Sequence, residues 1–128
     1  MKAPAELKYS NNDEWIRVED EVATIGITDY AQDQLSDVVF VEIVVFEGDK
    51  LEQGETFAVI ESVKAAADIY LPVGGEILSI NESLVDAPEL INEDPFGEAW
   101  LIKIKISDPG ELDSLMDAET YKNLERDH

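Results

Sequence analysis

Thirty acidic residues against nine basic ones in a chain of 128 give a formal net charge of −21 and a pI near 4.1, a surface that repels phosphate backbones and anionic lipid and so argues against nucleic-acid and membrane partners. A hydrophobic content of 45% separates the chain from disordered acidic segments and suffices for a real core. Cysteine is absent and the one histidine is the terminal His128, which leaves no place for a disulfide, a thiol nucleophile, a histidine-based triad or a zinc site.

One domain spanning residues 1–128 is expected, because no linker of domain-separating length interrupts the chain. Met1–Leu7 lacks the apolar run of a signal peptide, no stretch of about 18 apolar residues is present, and the expected location is the cytoplasm. The acidity serves solubility first, and docking onto basic patches of partner proteins second.

Leu7–Tyr9 predicts a short strand and Ser10–Asp13 a polar turn. Trp15–Val18 and Val22–Ile27 predict two strands joined through the acidic hairpin Glu19-Asp20-Glu21. Thr28 and Asp29 are N-cap types, and Gln32 follows Asp29 by three in capping-box fashion, so Tyr30–Leu35 is expected to be a short helix ended by Ser36-Asp37. Val38–Phe46 is the most strand-like run, too apolar for a strand with one wet face. Gly48-Asp49-Lys50 and Gly54-Glu55 are turns, and Thr56–Ile60 is the next strand.

After the Lys64 segment, Ile69–Val73 is expected to lead out as a strand, with Pro72 at an edge or bulge, and Glu76–Ile80 resumes pairing. Leu84–Asn92 reads as irregular, with a helical turn beginning at Pro88, and Asn92–Gly97 as a loop. Trp100–Ile106 alternates, placing Trp100, Ile102, Ile104 and Ile106 inward and Lys103 and Lys105 outward. Asp108, Pro109 and Glu111 mark a helix start, with Leu112, Leu115 and Met116 on its apolar face. A second turn capped by Asp117 would set Tyr121 and Leu124 on the same side.

Lys64 is one of seven lysines. Ser62–Asp68 in isolation would pass for a helical turn carrying a solvated lysine. The strands on either side make it a hairpin instead, with Lys64 at or beside the tip and a type I turn expected, since no Asn-Gly or Asp-Gly is present. A lysine held out in this way suits covalent modification: its neutral amine is a nucleophile, and acylation removes its charge. Any sulfur chemistry in a chain without cysteine has to come from a cofactor.

Many short strands, few helices and a lysine at a hairpin tip predict a mostly β fold, a small sandwich or flattened barrel. The ordered blocks Glu14-Trp15, Gly26–Gln32, Asp37–Glu42, Glu61-Ser62-Val63-Lys64-Ala65-Ala66, Asn92–Gly97 with Trp100, and Glu111–Ala118 together resemble the H proteins of the glycine cleavage system. The resemblance implies a barrel-sandwich hybrid with a C-terminal helical segment and a lipoyl group on Lys64 (lipoate as covalent cofactor), recognised through Glu61, Ser62, Val63 and Ala65. It also implies a non-enzymatic carrier, with no catalytic residue or metal of its own. Such a carrier shuttles an aminomethyl group from glycine decarboxylase to the folate-dependent aminomethyltransferase, and electrons to dihydrolipoyl dehydrogenase. A lipoate ligase or octanoyltransferase would load it, and a monomer is expected. Glu14 and Asp68 are candidate carboxylates of a cleft where the loaded arm rests, suited to pairing with an ammonium.

Three positions depart from the family pattern. Asp13 stands where histidine is usual, Ser36 where glycine is usual, and Ile43–Gly48 lacks the usual Leu-Pro and is one residue longer. Phe46 is expected to fold back into the core; exposed with Val45, it would form an apolar patch for a partner. A biotinyl carrier would have methionines where Val63 and Ala65 stand, and a lipoyl domain of a 2-oxoacid dehydrogenase would have aspartate before the lysine. A lipoyl donor or relay for other enzymes, which would need the same Lys64, and a binding module left unmodified are the remaining alternatives.

Overall fold

The computed structural model describes residues 2–124, and His128 lies outside the described residues. The chain opens with strands β1 (Lys8–Tyr9), β2 (Glu14–Glu19) and β3 (Val22–Ile27), then helix α1 (Asp29–Leu35). Strands β4 (Val38–Ile43), β5 (Lys50–Leu51), β6 (Thr56–Ser62), β7 (Ala66–Tyr70) and β8 (Gly75–Ile80) follow. Single turns α2 (Ser83–Asp86) and α3 (Leu90–Glu93) precede β9 (Ile102–Ile106), a 3-10 segment (Pro109–Ser114) and α4 (Ala118–Lys122). The pairings are antiparallel and form a six-stranded sheet in the order β1-β2-β3-β9-β8-β5 and a three-stranded sheet in the order β4-β6-β7. This is the mostly β, barrel-sandwich arrangement the sequence predicts, with helical structure at its C-terminal end.

Alternation explains why the sheets close on one another. Ile16, Ile25, Ile77 and Ile104 of the larger sheet and Val41, Ile60 and Ile69 of the smaller share one buried cluster, each such side chain contributing about 1.5–3 kcal/mol of transfer free energy. A second cluster, built on Leu7, Tyr9, Trp15 and Tyr121, joins α4 to the start of the chain. Within it Trp15 pairs with Gly26 across β2 and β3. A Cβ on Gly26 would lie 2.7 Å from the indole ring, so glycine alone lets the ring lie over the strand while its Nε1–H donates to Pro95 O at 2.8 Å.

Several local expectations are corrected. The Val38–Phe46 run does have a wet face: β4 ends at Ile43, and Val39 (54% exposed) and Phe40 (44% exposed) face solvent. The smaller sheet is packed on one side only, and a bulge between Val38 and Phe40 shifts the alternation there. Phe46 does not fold back; it is 75% exposed, whereas Val45 is buried. The strand expected over Ile69–Val73 ends at Tyr70. An unforeseen turn, α2, precedes the one near Pro88, and the two bury Leu84 and Ile91. The segment after Asp108 is a 3-10 helix; Asp108 caps it, accepting from Gly110 N at 2.9 Å. Its Glu111 is drawn off to accept from Gly74 N at 2.9 Å instead of closing a capping box. The second turn is capped by Asp117 as expected, which accepts from Thr120 N at 2.8 Å.

Candidate functional site

Lys64 lies in the three-residue connection Val63-Lys64-Ala65 between β6 and β7, with its side chain exposed. Ser62 shapes this tip. Its N–H donates to Ala65 O at 2.8 Å, and its Oγ accepts from Lys64 N and Ala65 N, each at 3.1 Å. The hydroxyl satisfies two N–H groups that a sharp turn would leave open. Neither Val63 nor Lys64 has a positive φ, which is why the turn needs no glycine. Val63 N–H donates to Asp37 O at 3.0 Å, tying the tip to the residue before β4. Glu61 and Ala65 are exposed on either side.

The lysine leans toward α1. Its Nζ donates to Gln34 O at 3.4 Å, near the C-terminal end of a helix whose dipole favours a cation there. Gln34 also lines a cavity of about 220 Å³ with Asn12, Asp13, Ile27, Tyr30, Ala31, Leu35, Ala67, Asp68 and Ile69. Ile27, Ala31, Leu35 and Ile69 give it apolar walls, and Asp13 and Asp68 also border it; Asp68, between the core-facing Ala67 and Ile69, turns its side chain to the outer side of β7. α1 is set by Thr28, whose Oγ1 accepts from Ala31 N at 3.2 Å; Gln32 bonds Asp29 Oδ1 at 2.9 Å and does not close a capping box on the helix start.

Glu14 lines a different cavity, of about 270 Å³, beside Ser10, Asn12, Gln53, Leu71 and Pro72. Asn12 borders both cavities, so Glu14 and Asp68 stand on neighbouring walls and do not share a pocket. Glu14 is only 2% exposed. Ser10 Oγ donates to its Oε1 at 2.6 Å, and Tyr70 N–H, two residues along β7 from Asp68, donates to its Oε2 at 3.4 Å. Burial pushes its carboxyl up from an ordinary 4.5 to about 7, and the charge of Asp13 adds to the rise, while the hydrogen bonds from Ser10 and Tyr70 oppose it.

Two supports were not visible in the sequence. Asn92, given no bonding role there, ties α1 and its end to β4: its Oδ1 accepts from Val38 N at 2.8 Å, and its Nδ2 donates to Ser36 O at 2.7 Å and to Gln32 Oε1 at 3.0 Å. Tyr121 Oη donates to Asp13 Oδ1 at 2.8 Å and lies 2.7 Å from Thr28 Oγ1. A polar residue bordering a helical turn was the available signal for Asn92; nothing local marks Tyr121. Among the described residues no cluster of three or more His, Cys, Asp or Glu is placed to hold a metal ion, and no helix is long and apolar enough to cross a membrane.

A two-sheet body that presents one exposed lysine on a tight hairpin, next to a helix that lines a partly apolar cavity, defines a carrier-type domain. The sequence profile described as Glycine cleavage H-protein matches residues 7–128. A glycine cleavage system H protein of Bacteroides thetaiotaomicron is 56% identical over 122 residues, covering 95% of this chain and 96% of the relative. A protein of Aeropyrum pernix described as a probable glycine cleavage system H protein is 55% identical over 116 residues, covering 91% and 80%. The crystal structure of a glycine cleavage system H protein from Mycobacterium marinum superposes with a TM-score of 0.84 at 32% identity, covering 92% of this chain and 94% of that one. The chain belongs to the glycine cleavage H-protein family, and with it to the lipoyl carriers of the glycine cleavage system.

Proposed function

We propose that Lys64 bears the lipoyl group in amide linkage. In this reading the chain is one carrier domain, a cytoplasmic monomer. It takes an aminomethyl group from the pyridoxal-phosphate glycine decarboxylase to the folate-dependent aminomethyltransferase, and passes electrons to dihydrolipoyl dehydrogenase. The observation that carries the reading is the presentation of Lys64: exposed, on a turn closed by the Ser62 hydroxyl, with its Nζ on the carbonyl of Gln34, which lines the 220 Å³ cavity.

The residues fit the group. When bound, it supplies a dithiol–disulfide pair, the sulfur chemistry that a chain without cysteine lacks. Lys64 Nζ, as the neutral amine, attacks an activated acyl carbon; the C–N bond forms, the bond to the activating group breaks, and one amine proton passes to the departing group or to water, so that the nitrogen ends as an uncharged amide N–H. Glu61, Ser62, Val63 and Ala65 are what a lipoate ligase or octanoyltransferase would read around it. Ile27, Ala31, Leu35 and Ile69 offer an apolar wall to an aliphatic chain, Asp13 offers charge to an ammonium at its end, and Asp68 adds to the negative field from the outer side of β7. Glu14 acts from the adjoining wall through Tyr70 N, as a positioning group and not as a partner in the same pocket.

Intact-mass analysis of protein incubated with lipoate and a lipoate ligase, followed by peptide mapping, tests the assignment. One lipoyl increment on the peptide holding Lys64 is expected. An increment on another lysine, or none, removes the carrier reading. Glycine decarboxylation reconstituted with the three partner enzymes separates the cleavage role from a lipoyl relay, which would load normally and support no decarboxylation.

A further inference from the structure

The outward face of the smaller sheet is built in two rows. Register aligns Phe40 with Glu61 and Glu61 with Ala66, and one step along it aligns Glu42 with Val59 and Val59 with Asp68. Because side chains alternate, these six share the side opposite Val41, Ile60 and Ala67, which pack into the core. Five of the six are exposed and Val59 is half-buried. Three are carboxylates; Phe40, Val59 and Ala66 are apolar. Val63 extends the apolar surface to the hairpin tip and is 66% exposed.

We propose that this face is the docking surface of the enzyme that acylates Lys64, a partner presenting basic side chains around an apolar contact. The proposal rests on the lipoyl-lysine reading. Proximity selects the occupant. An acylating enzyme has to bring its reacting carbon to Nζ itself, so its footprint covers the residues beside the turn; enzymes that act on the far end of the arm do not need that ground. Chemistry selects its character. Exposed Phe40 and Val63 supply apolar area that can be desolvated. Glu42, Glu61 and Asp68, on a chain of net charge −21, steer a basic surface and reject an acidic one. The recognition residues beside Lys64 are thereby extended to Phe40 and Glu42, which lie more than twenty positions upstream and reach the lysine only through strand pairing.

Lipoylation kinetics test this, with the full chain as substrate for a purified lipoate ligase supplied with ATP and lipoate. Glu42→Lys is expected to raise the KM for the carrier about tenfold with kcat within about twofold of wild type. Phe40→Ala is expected to raise it about fivefold. Added salt is expected to raise the wild-type KM steeply and that of Glu42→Lys less so. Glu19→Lys, the same charge change at the end of β2 in the other sheet, is expected to leave KM within about twofold.

Unchanged KM in both Glu42→Lys and Phe40→Ala overturns the proposal, and so does an equal rise in Glu19→Lys, which would reduce the effect to net charge. Normal lipoylation of the face variants with lost glycine decarboxylation assigns the face to another partner and also overturns it. Should Glu42→Lys fail to unfold cooperatively, Glu42→Gln substitutes, with about a threefold rise expected and no rise counting against. A wild-type chain that takes up no lipoyl group brings down the carrier reading, and the docking proposal with it.

Discussion

Tyr121 donates its hydroxyl proton to Asp13 across 108 residues of sequence, at 2.8 Å. Since that proton goes to the carboxylate, the 2.7 Å contact with Thr28 Oγ1 has Thr28 as donor. Thr28 Oγ1 in turn accepts from Ala31 N at the start of α1. One chain of hydrogen bonds, polarised in a single direction, therefore joins the C-terminal helix, the α1 cap and Asp13 at the cavity wall. Tyr9 stacks on Tyr121 with ring centroids 4.6 Å apart and holds the ring in place. Asp13 lies at φ 66, a left-handed conformation that Asp tolerates better than most residues. The aspartate at this departure from the family pattern thus has a partner built for a carboxylate.

Tyr121→Phe keeps the stacked ring and deletes the link. Stability is expected to fall by about 2 kcal/mol, because buried Thr28 loses its acceptor and Asp13 a donor. Urea unfolding checks this. A loss under about 0.5 kcal/mol, the range of a surface substitution, would show that water replaces the hydroxyl.

Glu14 gives folding a pH dependence opposite in sign to that of a salt-bridged carboxylate. Its carboxyl titrates at about 7 in the folded chain against 4.5 ordinarily, so between those values the folded state binds more protons than the unfolded. The contribution is fully present below about 4.5 and is lost as pH rises through about 7, to the extent of about 3 kcal/mol. Glu14→Gln, which keeps the shape without the charge, is expected to lose much less stability than wild type between pH 5 and pH 8 by urea unfolding. Parallel profiles for the two proteins would refute the buried charge as the cause.

Ser36 ends α1 at φ 66 and ψ −148, a region that costs a residue with a Cβ about 1–3 kcal/mol. It is held there by its backbone: its N–H donates to Gln32 O and Asp33 O, and its carbonyl accepts from Asn92 at 2.7 Å. Ser36→Gly keeps those bonds and relieves the strain, less the extra freedom glycine has when unfolded. A net gain of about 1 kcal/mol is expected, seen as a raised Tm; a lower Tm would mean that the serine side chain has a use of its own.

Lys64→Ala removes an exposed side chain whose Nζ donates to Gln34 O at 3.4 Å. The variant is expected to unfold within about 0.5 kcal/mol of wild type, to take up no lipoyl group and to support no glycine decarboxylation. Mass spectrometry and the reconstituted assay check the two halves separately, and decarboxylation at the wild-type rate would end the assignment.

The sequence alone determined most of what is local. Apolar alternation in Val22–Ile27 and Ile102–Ile106, the caps at Asp108 and Asp117, and the ordered blocks around Lys64 disclosed the strands, the two C-terminal turns and the family, because periodicity, capping and motif spacing act over a few residues. Val38–Phe46 shows where this stops. Its composition announced a strand, but which side would be wet depended on the smaller sheet having one covered face. The 3-10 form after Asp108 escaped for a similar reason, since Glu111 was claimed by Gly74 from another part of the fold. Tertiary structure alone decided that Asp13 would meet Tyr121, that Asn92 would join α1 to β4, and that Glu14 and Asp68 would stand on neighbouring walls instead of in one pocket. Each relationship spans residues far apart in sequence, and a hydrogen bond or burial cost between distant residues takes effect only when folding brings them together.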